Sequence, residues 1–235
     1  GTGGGGSSEP TINTLDFGQT VNSDQLSLTV DGGDIVFKID DTNSVTVNDF
    51  MANDTSNFLA IGEFVFADTT LTYNELLEKG FDIHGTDAGE VLEGTDVVDR
   101  INGGAGNDII NAGDGDDHLT GGLGNDTLYG GEGTNHYYIS EGDGDDTIVD
   151  DSEYHVHLQG DSFSIEQLSY VRLGIGLDLT IALGNGQNIT LSNYFLDDDT
   201  ASIDNINFYF DESNEPTVVA ATTIVAGILE GTEGD

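Results

Sequence analysis

Early in the chain, apolar residues alternate with polar ones in short runs: Leu26, Leu28 and Val30, then Ile35, Phe37 and Ile39, then Val45 and Val47, then Phe64 and Phe66. A period of two, broken by Asp-Gly and Asp-Thr-Asn, predicts short strands with one buried face. Thr72 and Glu75 have capping-box spacing, and Leu76, Leu77 and Gly80 complete a short helix. The alternating pattern returns late in the chain. Gln25-Leu26 matches Gln167-Leu168 at an offset of 142, and Val45, Val47 and Phe50 match Ile189, Leu191 and Tyr194 at 144. Asp34-Ile35 matches Asp178-Leu179 at 144, and Ile61, Phe64 and Phe66 match Ile203, Ile206 and Phe208 at 142. The chain therefore carries two copies of one β-module.

Between the copies the period lengthens to nine. From Gly103 the chain reads GGAGNDIIN, AGDGDDHLT, GGLGNDTLY, GGEGTNHYY, preceded by GTDAGEVLE and GTDVVDRIN. After a slip of two residues, Ile139 and Ser140, comes EGDGDDTIV. Position two holds Gly104, Gly113, Gly122 and Gly131, and position four holds Gly106, Gly115, Gly124 and Gly133; Gly142 and Gly144 repeat the pair after the slip. Position six carries Glu90, Asp99, Asp108, Asp117, Asp126, Asn135 and Asp146, and position eight Leu92, Ile101, Ile110, Leu119, Leu128, Tyr137 and Ile148. Such a period is a repeat architecture. A Gly/Asp/Asn-rich linker has no reason to keep an aliphatic or aromatic residue every ninth position. Paired glycines make a tight turn with uncovered main-chain carbonyls, and the position-six carboxylate adds a charged oxygen. An all-oxygen, flexible donor set selects a hard cation, Ca²⁺ over Mg²⁺. Positions seven to nine make a minimal strand, with position eight facing in. Each nine is half a coil, so repeats two apart stack and their carboxylates pile up, repelling one another without metal.

These nines resemble the RTX family of calcium-binding nonapeptide repeats, which form a parallel β-roll. The resemblance covers Gly85 to Asp150 and implies one Ca²⁺ between repeat n and repeat n+2. It pairs Glu90 with Asp108, Asp99 with Asp117, Asp108 with Asp126, Asp117 with Asn135, and Asp126 with Asp146. Carbonyls around Gly103, Gly104, Gly106, Gly113, Gly115, Gly122, Gly124, Gly131, Gly133, Gly142 and Gly144 complete the sites. This implies about five ions; three of the pairs have Asp at both ends, while Glu90 is longer and Asn135 lacks the charge.

Residues 14–68 and 160–211 resemble the haemolysin-type calcium-binding protein-related domain. That resemblance implies antiparallel β caps over the ends of the roll, where apolar core and sheet edges need cover. The expected fold is all-β: a parallel β-roll flanked by two small antiparallel β cap modules, with one short helix before the roll. The expected division is a flexible linker over 1–10, a cap with the helix over 11–84, the roll over 85–150, a second cap over 151–230, and a further array beginning at 231–235. Gly231-Thr232-Glu233-Gly234-Asp235 restates Gly85-Thr86-Asp87-Ala88-Gly89 at an offset of 146, and Thr217 to Gly227 reads as a weak helix.

Charge narrows the function. Four Lys+Arg against 45 Asp+Glu give −41, which excludes ordinary nucleic-acid or anionic-membrane binding. No apolar run reaches the ~18 residues of a membrane span, and the chain has no cysteine for disulfides or thiolate metal sites. His118 and His136 share position seven two repeats apart, and His155 and His157 share a strand face. Either pair suits a transition metal, but with no third ligand evident the plainer reading is exposed histidines on an acidic surface. Tyr129, Tyr137 and Tyr138 suggest a sugar-stacking platform or ordinary sheet packing. The sequence offers no catalytic constellation, and the expectation is a non-enzyme. The expected role is a calcium-binding structural module of a long secreted bacterial protein, extracellular or on the cell surface, its partners calcium and neighbouring repeats of the same chain. The family resemblance implies type I secretion, with folding in external calcium, and a role as extender, adhesin or matrix component. A carrier module of a toxin or secreted enzyme, or a module with a cell-surface glycan ligand, are the alternatives.

Overall fold

The structure, a computed structural model, describes residues 14–31, 34–40, 42–47, 61–150, 154–171, 178–194, 205–210 and 217–220. The side chain of Val30, the residues Phe50 and Ile203, and the segment Gly231 to Asp235 lie outside what is described. The chain forms two compact units, Gly1–Gly80 and Phe81–Asp235.

The first unit holds β1 (Thr14–Asp16), β2 (Ser27–Asp31), β3 (Asp34–Lys38), β4 (Ser44–Val47), β5 (Glu63–Val65) and β6 (Thr70–Thr72), followed by α1 (Tyr73–Leu77). β2, β3 and β4 form an antiparallel meander, while β5 pairs parallel with β1 and antiparallel with β6. The period-two positions point inward: Leu28, Ile35, Phe37 and Phe64 are buried, joined by Leu76 of the helix. Phe37 stacks on Phe64 at 5.5 Å, and Phe17 on Phe66 at 4.8 Å. The capping box is formed. Thr72 N–H donates to Glu75 Oε2 (2.8 Å), Glu75 N–H donates to Thr72 Oγ1 (3.3 Å), and Gly80 ends the segment at φ 72°.

The second unit is a parallel β-roll. One sheet stacks β7 (Phe81–His84), β9 (Asp99–Ala105), β11 (His118–Leu123), β13 (His136–Ser140) and β15 (Tyr154–Gln159) in parallel. The other stacks β8 (Val91–Thr95), β10 (Ile109–Gly113), β12 (Thr127–Tyr129) and β14 (Asp146–Val149). Partners are 18 residues apart, as Ile101 opposite Leu119, so two nines make one coil of the solenoid. Position eight fills the space between the sheets: Ile101, Ile110, Leu119, Leu128, Tyr137 and Ile148 are all buried, whereas Leu92 on the first strand of its sheet is half-buried. The two-residue slip lengthens β13, and Ile139 is buried with the rest of the core. Leu128 still faces Ile148.

The later β-module does not stand apart from the roll. It comprises β16 (Ser169–Val171), β17 (Leu179–Ala182), β18 (Asn188–Leu191), β19 (Asn205–Phe210) and β20 (Thr217–Ala220). β18 pairs parallel with β14 and continues antiparallel through β17 to β16; β19 pairs parallel with β15 and antiparallel with β20. Each roll sheet is thereby extended to seven strands, changing direction only after its first added strand. Leu179, Ile181, Leu183, Ile189, Leu191, Tyr194, Ile206 and Phe208 are fully buried, so the apolar core runs on past the last nonapeptide and the open end is covered. The duplication is visible in structure: the 3₁₀ turns Ser23–Gln25 and Ile165–Gln167, β4 and β18, and the starts of β5 and β19 recur in the same order. The weak helix read from Thr217 is instead the strand β20 where the chain is described. Thr217, Val218 and Val219 are β-branched, and β19 offers them an edge to pair with.

Candidate metal centres

The turns between strands are built by glycine. Gly104, Gly106, Gly113, Gly115, Gly122, Gly124, Gly131, Gly133, Gly142 and Gly144 all have positive φ, from 82° to 136°. At Gly124 (φ 134°) a Cβ would also strike the carbonyl oxygen of Gly106 in the coil below, so neither conformation nor space admits a side chain. Gly103 is spared a positive φ but not the crowding: its Cβ would lie 2.5 Å from both Asp108 Oδ2 and the Gly121 carbonyl oxygen.

Position six forms a ladder in each turn column. The main-chain N–H of Glu90 donates to Asp108 Oδ1 (2.7 Å), that of Asp108 to Asp126 Oδ1 (2.7 Å), and that of Asp126 to Asp146 Oδ1 (3.0 Å). In the other column Asp99 N–H donates to Asp117 Oδ1 (2.8 Å) and Asp117 N–H to Asn135 Oδ1 (3.1 Å). All five pairs named from the sequence are in this contact. Oδ1 of Asp108, Asp117, Asp126 and Asp146 is thus spent on the neighbouring coil, while Asp99 spends Oδ2 on Thr95. The other oxygen of each is not: Asp99 Oδ1 and the Oδ2 atoms of Asp108, Asp117, Asp126 and Asp146 are buried without a hydrogen-bond partner. An unsatisfied buried polar atom costs roughly 1–3 kcal/mol, more when charged. Burial, aided by neighbouring carboxylates, pushes Asp117 and Asp146 up to about 7. Asp99 is pushed up to about 6, again by burial, against the pull of Thr95. Asp126 is raised by the same burial.

The donor chemistry fits a hard divalent cation. Every free side-chain atom in the ladder is a carboxylate oxygen, and the free oxygens of Asp108 and Asp126 lie where a Cβ at Gly103 or Gly121 would intrude. No group of three or more His, Cys, Asp or Glu side chains converges among the described residues. An ion here would draw on at most two such side chains, with main-chain carbonyls as the remaining oxygen donors. The two ends of the ladder differ from its middle. Glu90 Oε2 accepts from Thr86 N–H (2.6 Å), and Asp99 Oδ2 accepts from Thr95 N–H (2.6 Å) and Thr95 Oγ1 (3.0 Å), so threonine at position two satisfies part of each carboxylate. Asn135 Nδ2 donates to Asp150 Oδ2 (3.1 Å), which also accepts from the Tyr137 hydroxyl (2.5 Å).

Four features lie outside the position-six pattern. Position five has its own ladder: Asn107 Oδ1 accepts from Asn125 N–H (3.0 Å), Asp116 Oδ1 from Thr134 N–H (2.8 Å), and Asn125 Oδ1 from Asp145 N–H (3.1 Å). Its signal was present as Asn or Asp before the position-six acid. In sequence Asp150 marks only the end of the array. Asp143 is buried, its Oδ2 accepting from Ser140 N–H (2.6 Å), and burial raises its pKa. Nearby, Gln187 of the second β-module donates to the Ser140 carbonyl (3.0 Å), a contact no local pattern announces.

The tyrosines do not form one platform. Tyr137 points into the core, Tyr138 lies on the outer face of β13, and Tyr129 belongs to the opposite sheet, where it is 41% exposed beside an open cavity of about 450 Å³. Strand alternation and the change of sheet separate them. The histidines, expected to be exposed, are half-buried and interlocked. His118, His136 and His155 lie in register on neighbouring strands, as do Tyr138, His157 and Tyr209 beside them. Burial, then the neighbouring His136, holds His157 down to about 4.

Comparison with known proteins agrees with the turns. Residues 84–119, 93–128 and 111–138 match the family described as RTX calcium-binding nonapeptide repeat, in four copies. A search of curated proteins by sequence found no match. Among solved structures the chain is similar to the extracellular lipase LipA from Serratia marcescens, at 21% identity and a TM-score of 0.37, covering 81% of this chain and 32% of that one. This chain thus spans about a third of the length of that lipase chain. Coil geometry, turn glycines, carboxylate ladder and family match converge: residues 84–138 are RTX calcium-binding nonapeptide repeats.

Proposed function

We propose that the chain is a structural module of a larger secreted bacterial protein, an extender or adhesive segment that becomes rigid only where calcium is plentiful. The observation that carries this reading is the set of five buried carboxylate oxygens without partners. Asp99, Asp108, Asp117, Asp126 and Asp146 would hold the ions, with Glu90 and Asn135 at the ladder ends and turn carbonyls completing each site. A bound hard cation supplies positive charge between stacked carboxylates. The chain's own residues do the rest: the glycines bring carbonyls inward, Oδ1 of Asp108, Asp117, Asp126 and Asp146 fixes each to the neighbouring coil, and the position-eight side chains close the core. The 16 acidic residues and one arginine of 85–150 give −15, and five Ca²⁺ would leave −5. In a low-calcium compartment that repulsion keeps the segment open, which suits export through a narrow channel.

Far-UV circular dichroism tests the reading. With chelator the repeat region is expected to lack β signal and to gain it at millimolar Ca²⁺, with affinities of roughly 10⁻⁴–10⁻³ M and cooperativity. A spectrum indifferent to calcium would refute it. A glycan-binding role now rests on Tyr129 and its cavity, lined also by Asp114, Glu132, Asp150 and Asn193. Glycan-array binding that disappears in Tyr129→Ala would support that role.

A further inference from the structure

All five histidines of the chain lie on one sheet of the roll, His84 on β7, His118 on β11, His136 on β13, and His155 and His157 on β15. Their arrangement is specific. His136 Nδ1 lies 2.8 Å from His157 Nε2, with the ring centroids 5.1 Å apart. His157 is sandwiched between Tyr138 (4.5 Å, 15°) and Tyr209 (4.3 Å, 16°), so its plane is fixed on both faces. His118 and His155 flank His136 at 5.1 and 5.0 Å, and each points its Nδ1 at a tyrosine hydroxyl, Tyr138 at 2.7 Å and Tyr209 at 3.2 Å. Other charged groups near this cluster are Arg100, which bonds Asp82 at 2.5 Å, and Asp116.

We propose that His136 and His157 form a site for a borderline first-row divalent cation, Zn²⁺ or Cu²⁺, on the outer sheet face and separate from the calcium turns. Imidazole nitrogen suits these ions and not Ca²⁺. A cation about 2.05 Å from two nitrogens at a tetrahedral angle spaces them about 3.3 Å apart and puts the ring centroids about 5 Å apart. The rings already have that separation, so the nitrogens need only turn outward from their present 2.8 Å. The proton now between the two rings moves to the other nitrogen of its own ring, and both neutral imidazoles then offer lone pairs with no net proton loss. No third His, Cys, Asp or Glu converges among the described residues, so water completes the coordination. Charge favours the capture of cations, since the chain carries −41. The site rests on the calcium-roll reading, because the two histidines meet only when β13 and β15 are stacked.

The test is titration of the full, calcium-saturated chain with Zn²⁺ by calorimetry, and with Cu²⁺ followed by electron paramagnetic resonance. One equivalent is expected, with nitrogen hyperfine structure from two imidazoles. His136→Ala and His157→Ala should each weaken it about tenfold or more, while His84→Ala leaves it unchanged. Calcium content is measured in parallel on every variant. No binding below about 100 µM free metal, or a Cu²⁺ spectrum with oxygen ligands only, overturns the proposal. Equal binding by the His136→Ala and His157→Ala variants also overturns it. A failure of the calcium reading would appear instead as absent calcium with an unfolded spectrum, which is distinguishable from a folded roll that takes calcium and no Zn²⁺.

Discussion

At the scale of single residues, the roll divides the two oxygens of an aspartate between two tasks. Oδ1 of Asp108 ties its coil to Glu90, while Oδ2 is buried without a partner. Asp99 differs, because Thr95 already satisfies its Oδ2 through N–H and hydroxyl. In the n to n+2 arrangement Asp108 faces two ions and Asp99 only one. Asp108→Ala is therefore expected to raise the calcium midpoint of folding roughly tenfold, and Asp99→Ala roughly threefold, read by circular dichroism titration. Equal shifts would mean that each carboxylate serves one ion. The position-six residues were legible from spacing because their period is the coil itself. Asp143 and Asp150 were not, since their roles arise where the two-residue slip and the last turn break that period. Sequence shows a regular ladder well and its ends poorly, because ends are satisfied by whatever the next segment brings.

At the scale of elements, strands as short as Thr127–Tyr129 hold no stability of their own; they persist because one residue in each, such as Leu128, is buried and both edges are paired. The turns oppose this while metal-free. Asp117 and Asp146 are raised to about 7 and Asp99 to about 6, against about 4 unfolded. The folded roll then binds protons more tightly than the unfolded chain. Its metal-free stability is greatest below about 4 and is lost as pH rises through about 6 to 7. In chelator at pH 8 the roll is expected to be open, and acidification to pH 5 to raise its stability, seen as a gain of β signal. In saturating calcium the same change should lower it, since the ions need the deprotonated carboxylates. Paired scans by circular dichroism check both signs. The strands themselves were readable, with position eight inward and seven and nine outward. Unreadable was how the later β-module joins: β18 and β19 look like any alternating strands, and only tertiary pairing makes them run parallel to β14 and β15.

At the scale of the molecule, the two units have opposite electrostatic designs. In residues 14–80 no described carboxylate oxygen is buried without a partner. Acids there bond nearby main chain, as Asp40 does with Thr42 N–H (2.8 Å) and Asn43 N–H (2.8 Å), and hydrogen bonds led by the Asn43 side chain lower Asp40 to about 2. A group depressed in this way stabilises the fold above about 4, and that contribution is lost as pH falls toward 2. The core of this unit is aromatic, with Phe17, Phe37, Phe64 and Phe66 in contact. Residues 81–235, with five carboxylate oxygens buried without a partner, are expected to depend on a cation. Ligand at about 100 times Kd contributes roughly 2.7 kcal/mol per site, and the sites lie in a single stacked core. Calorimetry of the full chain should therefore resolve two transitions. Raising Ca²⁺ from the folding midpoint to about 100 times Kd is expected to move one of them up by tens of degrees and leave the other within a few degrees. A single transition moving as a whole would show that the first unit folds only through the second. Two transitions moving together would place calcium sites in both.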